Sequence, residues 1–138
     1  MKVLLDINVV LDFFLERKPF FEDIKNIFVA IEKRKIEGYL CASSIDTIHY
    51  LITKAIDKRT ANEVIYKLLK IFEVTEVNKT VLIETLNNDF SDFEDGIIYI
   101  SALFKGVDII VTRDKRGFKN SKIKILSPAE MSARLIDV

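Results

Sequence analysis

Lys2-Val3-Leu4-Leu5-Asp6 decides the fold: an apolar run of strand length that stops at an acid. A short apolar run bounded by a polar residue reads as a strand buried on both faces, as in a parallel sheet. Asp108-Ile109-Ile110-Val111-Thr112 has the same form, and Tyr39-Leu40-Cys41-Ala42 follows Gly38 as another such strand. Phe72 to Val77 alternates like a strand, and Lys122 to Leu126 alternates Ile123 and Ile125 with lysines.

Helical patterns fill the spaces between these strands. Asn8 is placed to cap a helix through Leu15, which Arg17-Lys18-Pro19 interrupts. From Phe20 to Arg34 the apolar residues Ile24, Ile27, Phe28 and Ile31 recur at helical spacing. Ser43 or Ser44 caps a helix to about Ala55, and Thr60-Ala61-Asn62-Glu63 has capping-box form before another. Asn78 caps a helix to about Asn88. Ser91-Asp92-Phe93-Glu94 opens a helix that runs to Lys105 and stops at Gly106. Ser127-Pro128-Ala129-Glu130 opens the last helix with a cap, a first-turn proline and a box glutamate. Strands alternating with helices imply an α/β fold of three layers, α/β/α, around a mostly parallel sheet.

The 138 residues fit a single domain. Twenty-one basic residues balance 21 acidic ones, which argues against a highly basic nucleic-acid coat protein and leaves room for a local basic patch. The lone Cys41 allows no intrachain disulfide and fits a reducing cytoplasm. It lies in an apolar run, so a small buried hydrophobe is the plainer reading than a reactive thiol. Asp6 interrupts the first apolar run too early for a signal peptide, and no apolar stretch approaches the ~20 residues that span a membrane.

Ligands of open parallel sheets gather at the carboxyl ends of the strands. Asp6 directly follows the first strand and Asp114 lies just past the strand ending at Thr112. Asp95 and Asp46 each sit in the first turn of a helix, Asp46 in the one that follows the second strand. If the sheet order joins these ends, the carboxylates converge, and converging carboxylates repel unless a cation neutralises them. All-oxygen ligands favour magnesium or manganese over zinc. Each acid also has a plainer reading. Asp92, Glu94 and Asp95 suit the positive end of a helix dipole. Asp46 completes a weak capping box with Ser43, and Asp114 fits an ordinary turn. Asp6 is hardest to dismiss, because an unpaired charge beside a buried strand costs several kcal/mol.

Other chemistries lack their residues. His49 is the sole histidine and lies among Ile45, Ile48, Leu51 and Ile52, so a structural imidazole is favoured over a general base. One histidine and one cysteine make a common zinc site improbable. The four glycines are isolated, so no glycine-rich phosphate loop exists, and no Ser-His-Asp arrangement is visible.

The block Asp92-Phe93-Glu94-Asp95, then Ala102, then Asp108-Ile109-Ile110-Val111-Thr112-Arg113-Asp114-Lys115, together with the opening Leu4-Leu5-Asp6-Ile7-Asn8-Val9-Val10-Leu11-Asp12, resembles the PIN domain. This nuclease family includes the VapC-type toxins of bacterial and archaeal toxin–antitoxin pairs. The resemblance covers essentially the whole chain. It implies a metal-dependent ribonuclease that hydrolyses RNA phosphodiester bonds with Mg2+ or Mn2+. Its first, third and fourth acid positions fall on Asp6, Asp95 and Asp114. Asn8, Asp92 and Thr112 fall on supporting positions. The second acid position is where the match departs: Thr47 or His49 aligns there and Asp46 is the nearby carboxylate. Gly117 also stands where an acid is frequent. The resemblance further implies a cognate antitoxin partner and a homodimer. Phe13, Phe14, Phe20 and Phe21 are candidates for that interface or for ordinary core.

Arg113, Lys115, Arg116 and Lys119 cluster after the last acid and suit either a grip on the RNA backbone or a solvated turn. A dehalogenase-type phosphatase is disfavoured because it wants an aspartate where Asn8 sits. A phospho-acceptor receiver domain is disfavoured because the expected Lys-Pro pair is missing near the end, where Ser127 precedes Pro128. The alternative from a different class is a PIN-fold module that binds RNA or a partner without cutting.

Overall fold

A computed structural model describes residues 1–136. Five strands, β1 (Lys2–Leu5), β2 (Glu37–Cys41), β3 (Glu73–Thr75), β4 (Ile109–Val111) and β5 (Lys124–Leu126), form one parallel sheet in the order β3-β2-β1-β4-β5. Helices α1 (Ile7–Phe14), α2 (Phe21–Glu32), α3 (Ala42–Ala55), α4 (Lys58–Ile71), α5 (Lys79–Asn87), α6 (Phe93–Lys105) and α7 (Pro128–Ile136) cover both faces. The expected three-layer α/β/α architecture is present.

The period-two alternation of a strand divides the core into two layers. Val3 and Leu5 point to one face, where they join Val111, Leu40, Ile24, Ile27, Ile48 and Leu68. Leu4 points to the other and joins Ile110, Tyr39, Ile98 and Ala102. The strand is therefore apolar at successive positions because both faces are covered. Each fully buried Leu or Ile contributes about 1.5–3 kcal/mol by leaving water.

β1 sits at the centre, with β2 on one side and β4 on the other. The order of connection reverses between them. The carboxyl ends of β1, β2 and β4 thus open at one edge, the topological switch point at which such sheets bind ligands.

Several helix starts differ from the sequence reading. Asp6, not Asn8, caps α1, and Asp57, not Thr60, caps α4 through a bond from the Thr60 amide. Asp92, not Ser91, caps α6. Cys41 occupies the cap position of α3 without a side-chain bond, so neither Ser43 nor Ser44 caps it. A carboxylate on a short side chain out-competes the nearby hydroxyls and amide because its charge adds to the dipole interaction. Asn78 caps α5 as expected, and Gly106 ends α6 in the left-handed region. The Ser127–Glu130 capping box also forms reciprocally. β2 runs through Gly38 rather than starting after it, because Glu37 and Gly38 pair with Lys2 and Val3 of β1; Ile31 and Phe72 press on Gly38, where a Cβ would stand 2.8 Å from each.

Phe13, Phe14 and Phe20 pack on the core, with the Phe13 and Phe28 rings stacked 4.0 Å apart, and Phe21 stacks on Phe13. These four rings fill the space between α1 and α2 rather than standing bare. No helix among the described residues is long and apolar enough to cross a membrane.

Candidate active site at the carboxyl edge of the sheet

Asp6 enters the site straight from β1. It is 7% exposed, and one carboxylate oxygen accepts the Ile7 amide at 2.8 Å. The other accepts the buried Thr112 hydroxyl at 2.7 Å, from the first residue after β4. That hydroxyl also accepts the Asp114 amide at 3.1 Å. Thr112 therefore ties the end of β1 to the loop that carries Asp114. Burial pushes the Asp6 carboxyl above the usual carboxylate range against these hydrogen bonds, and the charges of Asp114 and Asp92 push it further.

Asp95 arrives from the first turn of α6, where its amide donates to the Asp92 cap at 2.9 Å. Its carboxyl is pushed up to about 6, first by burial and then by the charges of Asp6, Asp92, Glu94 and Asp114. Glu94 is raised by burial and by Asp92 and Asp6. Asp6, Asp92, Glu94, Asp95 and Asp114 thus share one field, although they come from three separate parts of the chain. Asp114 differs from the rest. Arg116 grips both of its oxygens at 2.9 Å, and that pairing holds the Asp114 carboxyl down at about 2.

No three His, Cys, Asp or Glu side chains among the described residues stand close enough together to hold an ion as they are placed. The cause is visible in the side chains. Asp114 is drawn to Arg116, and Asp95 rests against Gly117, where a Cβ would lie 2.9 Å from the Asp95 Cγ. The donor set nonetheless suits a hard divalent cation. It is made of oxygens, and two further buried oxygens, Asn8 Oδ1 and Ser44 Oγ, have no hydrogen-bond partner. Both belong to first helical turns that follow β1 and β2 at this same edge.

Asp46 is exposed on α3 and is absent from the acids whose charge reaches Asp6 and Asp95. His49 bonds Asn62 of α4 at 2.6 Å, a tie between two helices. The basic cluster is divided. The Arg113 guanidinium turns inward to the fully buried Asp12, with Nε 2.6 Å from Oδ2, and stacks 4.4 Å from the centre of the Phe20 ring. That close approach is an ion contact rather than a hydrogen bond of good angle. Lys115 pairs with Glu130 and Arg116 with Asp114, while Lys119 has no ion pair among the described residues. Glu94, Ser44 and Gly117 were read from sequence as a dipole acid, a helix cap and a departure from a frequent acid, and none of them as a site residue. The serine pair in the first turn of α3 and the acid adjacent to Asp95 were the available signals.

The family model for the PIN domain matches residues 2–116. The chain belongs to the PIN-domain family. This PIN domain is 28% identical over 138 residues to Ribonuclease VapC1 of Aquifex aeolicus, covering 96% of this chain and 94% of that protein. Its fold is similar to a toxin–antitoxin complex from Klebsiella pneumoniae, with a TM-score of 0.68 at 16% identity, covering 91% of this chain and 97% of that one. It is also similar to PAE2754 from Pyrobaculum aerophilum, with a TM-score of 0.65 at 18% identity, covering 100% and 91%. A third similar structure is VapBC2 from Rickettsia felis bound to a DNA fragment from its promoter, with a TM-score of 0.66 at 13% identity, covering 92% and 98%.

Proposed function

We propose that this PIN domain is a ribonuclease that hydrolyses RNA phosphodiester bonds with Mg2+ or Mn2+ held by Asp6, Asp95 and Asp114, and that it is the toxin of a toxin–antitoxin pair in the cytoplasm. The observation that carries the reading is the gathering of acids at the carboxyl edge, where burial and then the neighbouring charges lift the Asp95 carboxyl to about 6. Strongly perturbed acids gathered at a switch point mark a functional site. The 28% identity to Ribonuclease VapC1 supports RNA as the substrate. A bound divalent ion supplies a water of lowered pKa and neutralises charge at the attacked phosphate.

The chain's own groups have distinct parts in this reading. Asp6 is oriented by Thr112 and the Ile7 amide, so its free lone pairs face a fixed direction. Asp95 is the carboxylate most ready to exchange a proton for a cation. Asn8, Asp92 and Glu94 add oxygens and negative field around these two. Arg116 neutralises Asp114 and is exposed beside the acids, a guanidinium suited to a phosphate. Asp46 is left outside the catalytic set.

The similarity to a toxin–antitoxin complex from Klebsiella pneumoniae supports an antitoxin partner. A homodimer belongs to the same reading. Its apolar surface is sought on α5, where Leu82, Ile83 and Leu86 are bare, rather than at the four phenylalanines.

A second reading, a PIN fold that binds RNA without cutting, is favoured by one observation: no acid from α3 joins the cluster. One assay separates the two. Purified protein should degrade RNA with magnesium or manganese, and chelation, Asp6→Asn or Asp95→Asn should abolish it. A folded wild type that binds RNA without cutting it under either metal sinks the catalytic reading.

A further inference from the structure

We propose that the cleft between α5, α6 and the loop at 116–122 is a subsite for an unpaired RNA nucleotide next to the bond cleaved at the acid cluster. This rests on the ribonuclease reading and says where its substrate runs. The cleft has a volume of about 640 Å³ and reaches the acids through two of its lining residues. Gly117, which the Asp95 carboxylate rests against, lines it, and so does Arg116, which holds Asp114. The clefts around Pro19, around Phe13 and Phe14, and at the β2–β3 edge are lined by neither Arg116 nor Gly117.

The cleft has two unlike walls. One is aromatic: Phe90 and Tyr99 lie with ring centroids 5.8 Å apart, and Phe104 stands on the rim at 54% exposed. The other carries Lys119 and Lys122, both exposed. The Lys122 amide donates to the Tyr99 hydroxyl at 2.8 Å, which holds the basic loop against the aromatic wall. An aromatic face beside two cations matches an unstacked base and the phosphate attached to it. Glu84 and Asp89 lie at the α5 side of the cleft and repel phosphate, so the backbone follows the lysine wall while the base turns to the rings. A duplex keeps its bases stacked and cannot offer one to this wall.

The test is fluorescence anisotropy of a labelled single-stranded oligoribonucleotide with magnesium. It uses the full chain carrying Asp95→Asn so that cleavage does not intervene. Lys119→Gln combined with Lys122→Gln should weaken binding about tenfold or more and reduce the salt slope by about 1.4, at about 0.7 per phosphate contact. Phe104→Ala should weaken binding roughly tenfold with the slope unchanged, as loss of a stacking face does. A duplex of the same sequence should bind more weakly and ignore both changes. These side chains are exposed, so thermal melts of the variants should match the parent. Unchanged affinity in both variants, in a protein whose Asp95 form cleaves RNA, overturns the cleft assignment and leaves the ribonuclease reading standing. A protein that neither binds nor cleaves RNA overturns both.

Discussion

The carboxylate of Asp95 lies against the bare Cα of Gly117, with no room for a side chain between them. Gly117 is not in the left-handed region, so its backbone accepts alanine without strain. What alanine disturbs is the carboxylate. A Cβ would overlap Asp95 Oδ2 and force the side chain off its place. Gly117→Ala should therefore lower kcat by about tenfold to a hundredfold, since small misplacements of a catalytic group cost that much. Stability should change by no more than about 1 kcal/mol, because the reduced freedom of the unfolded chain offsets the crowding. Steady-state RNA cleavage beside a urea titration checks both. Undiminished turnover would show that the Asp95 position against Gly117 is irrelevant to cutting.

Thr112 supports Asp6 through a single buried hydroxyl. Valine has nearly the same shape and no donor. Thr112→Val leaves a buried carboxylate oxygen short of a partner and should cost about 1–3 kcal/mol. It should also raise the Asp6 carboxyl further and weaken magnesium binding, which calorimetric titration reads independently of activity. Thr112→Ser keeps the donor and should recover most of both losses. Equal behaviour of the valine and serine variants would rule out the hydroxyl as the cause.

Arg113 belongs to the frame of the molecule. Asp12 is fully buried on α1 and faces Arg113 from beyond β4, with Arg17 farther off at 3.4 Å. Arg113→Gln leaves that carboxylate with only the longer Arg17 contact and should cost about 2 kcal/mol, less than stripping a buried charge of every partner. RNA affinity of the folded variant should stay within about twofold, because this guanidinium is turned inward to Asp12 and the Phe20 ring. Denaturant unfolding and anisotropy measure the two separately. A variant as stable as wild type but defective in RNA binding would reverse the assignment.

The layout of the sheet was legible because a strand covered on both faces cannot hide its composition: Val3, Leu4 and Leu5 are all apolar since none of them meets water. The positions of Asp6 and Asp114 were legible for a related reason, as acids that follow such runs, and that of Asp95 as an acid in the first turn of a capped helix. Helix starts were legible only to within a few residues. Several polar residues compete for each cap, and Asp6, Asp57 and Asp92 prevailed over neighbours of similar local promise. Pairings across the fold were not legible at all. Nothing local joins Asp12 to Arg113, or Asp95 to Gly117. Those contacts exist only once α1, α6 and the segment after β4 converge on one edge.

Stability of the metal-free protein should fall as pH rises through weakly acidic values. Asp95 is raised from the ordinary 3.8 to about 6, so the folded state binds its proton more tightly than the unfolded state does. The stabilisation from that proton is fully present below the ordinary value and is lost as pH rises through about 6. Asp6 and Glu94 are raised as well and act in the same direction. Asp114 and Glu130, held at about 2 by Arg116 and Lys115, act in the opposite sense, but only as pH falls below the usual carboxylate range. Magnesium should replace the proton: it should raise the melting temperature at pH well above 6, where the acids are charged, and have little effect where they are protonated. Thermal melts across pH, with chelator and with magnesium, test the linkage. A chelated protein whose stability is flat across this range, or one to which magnesium gives the same shift at both ends, would mean that the acids do not share a site.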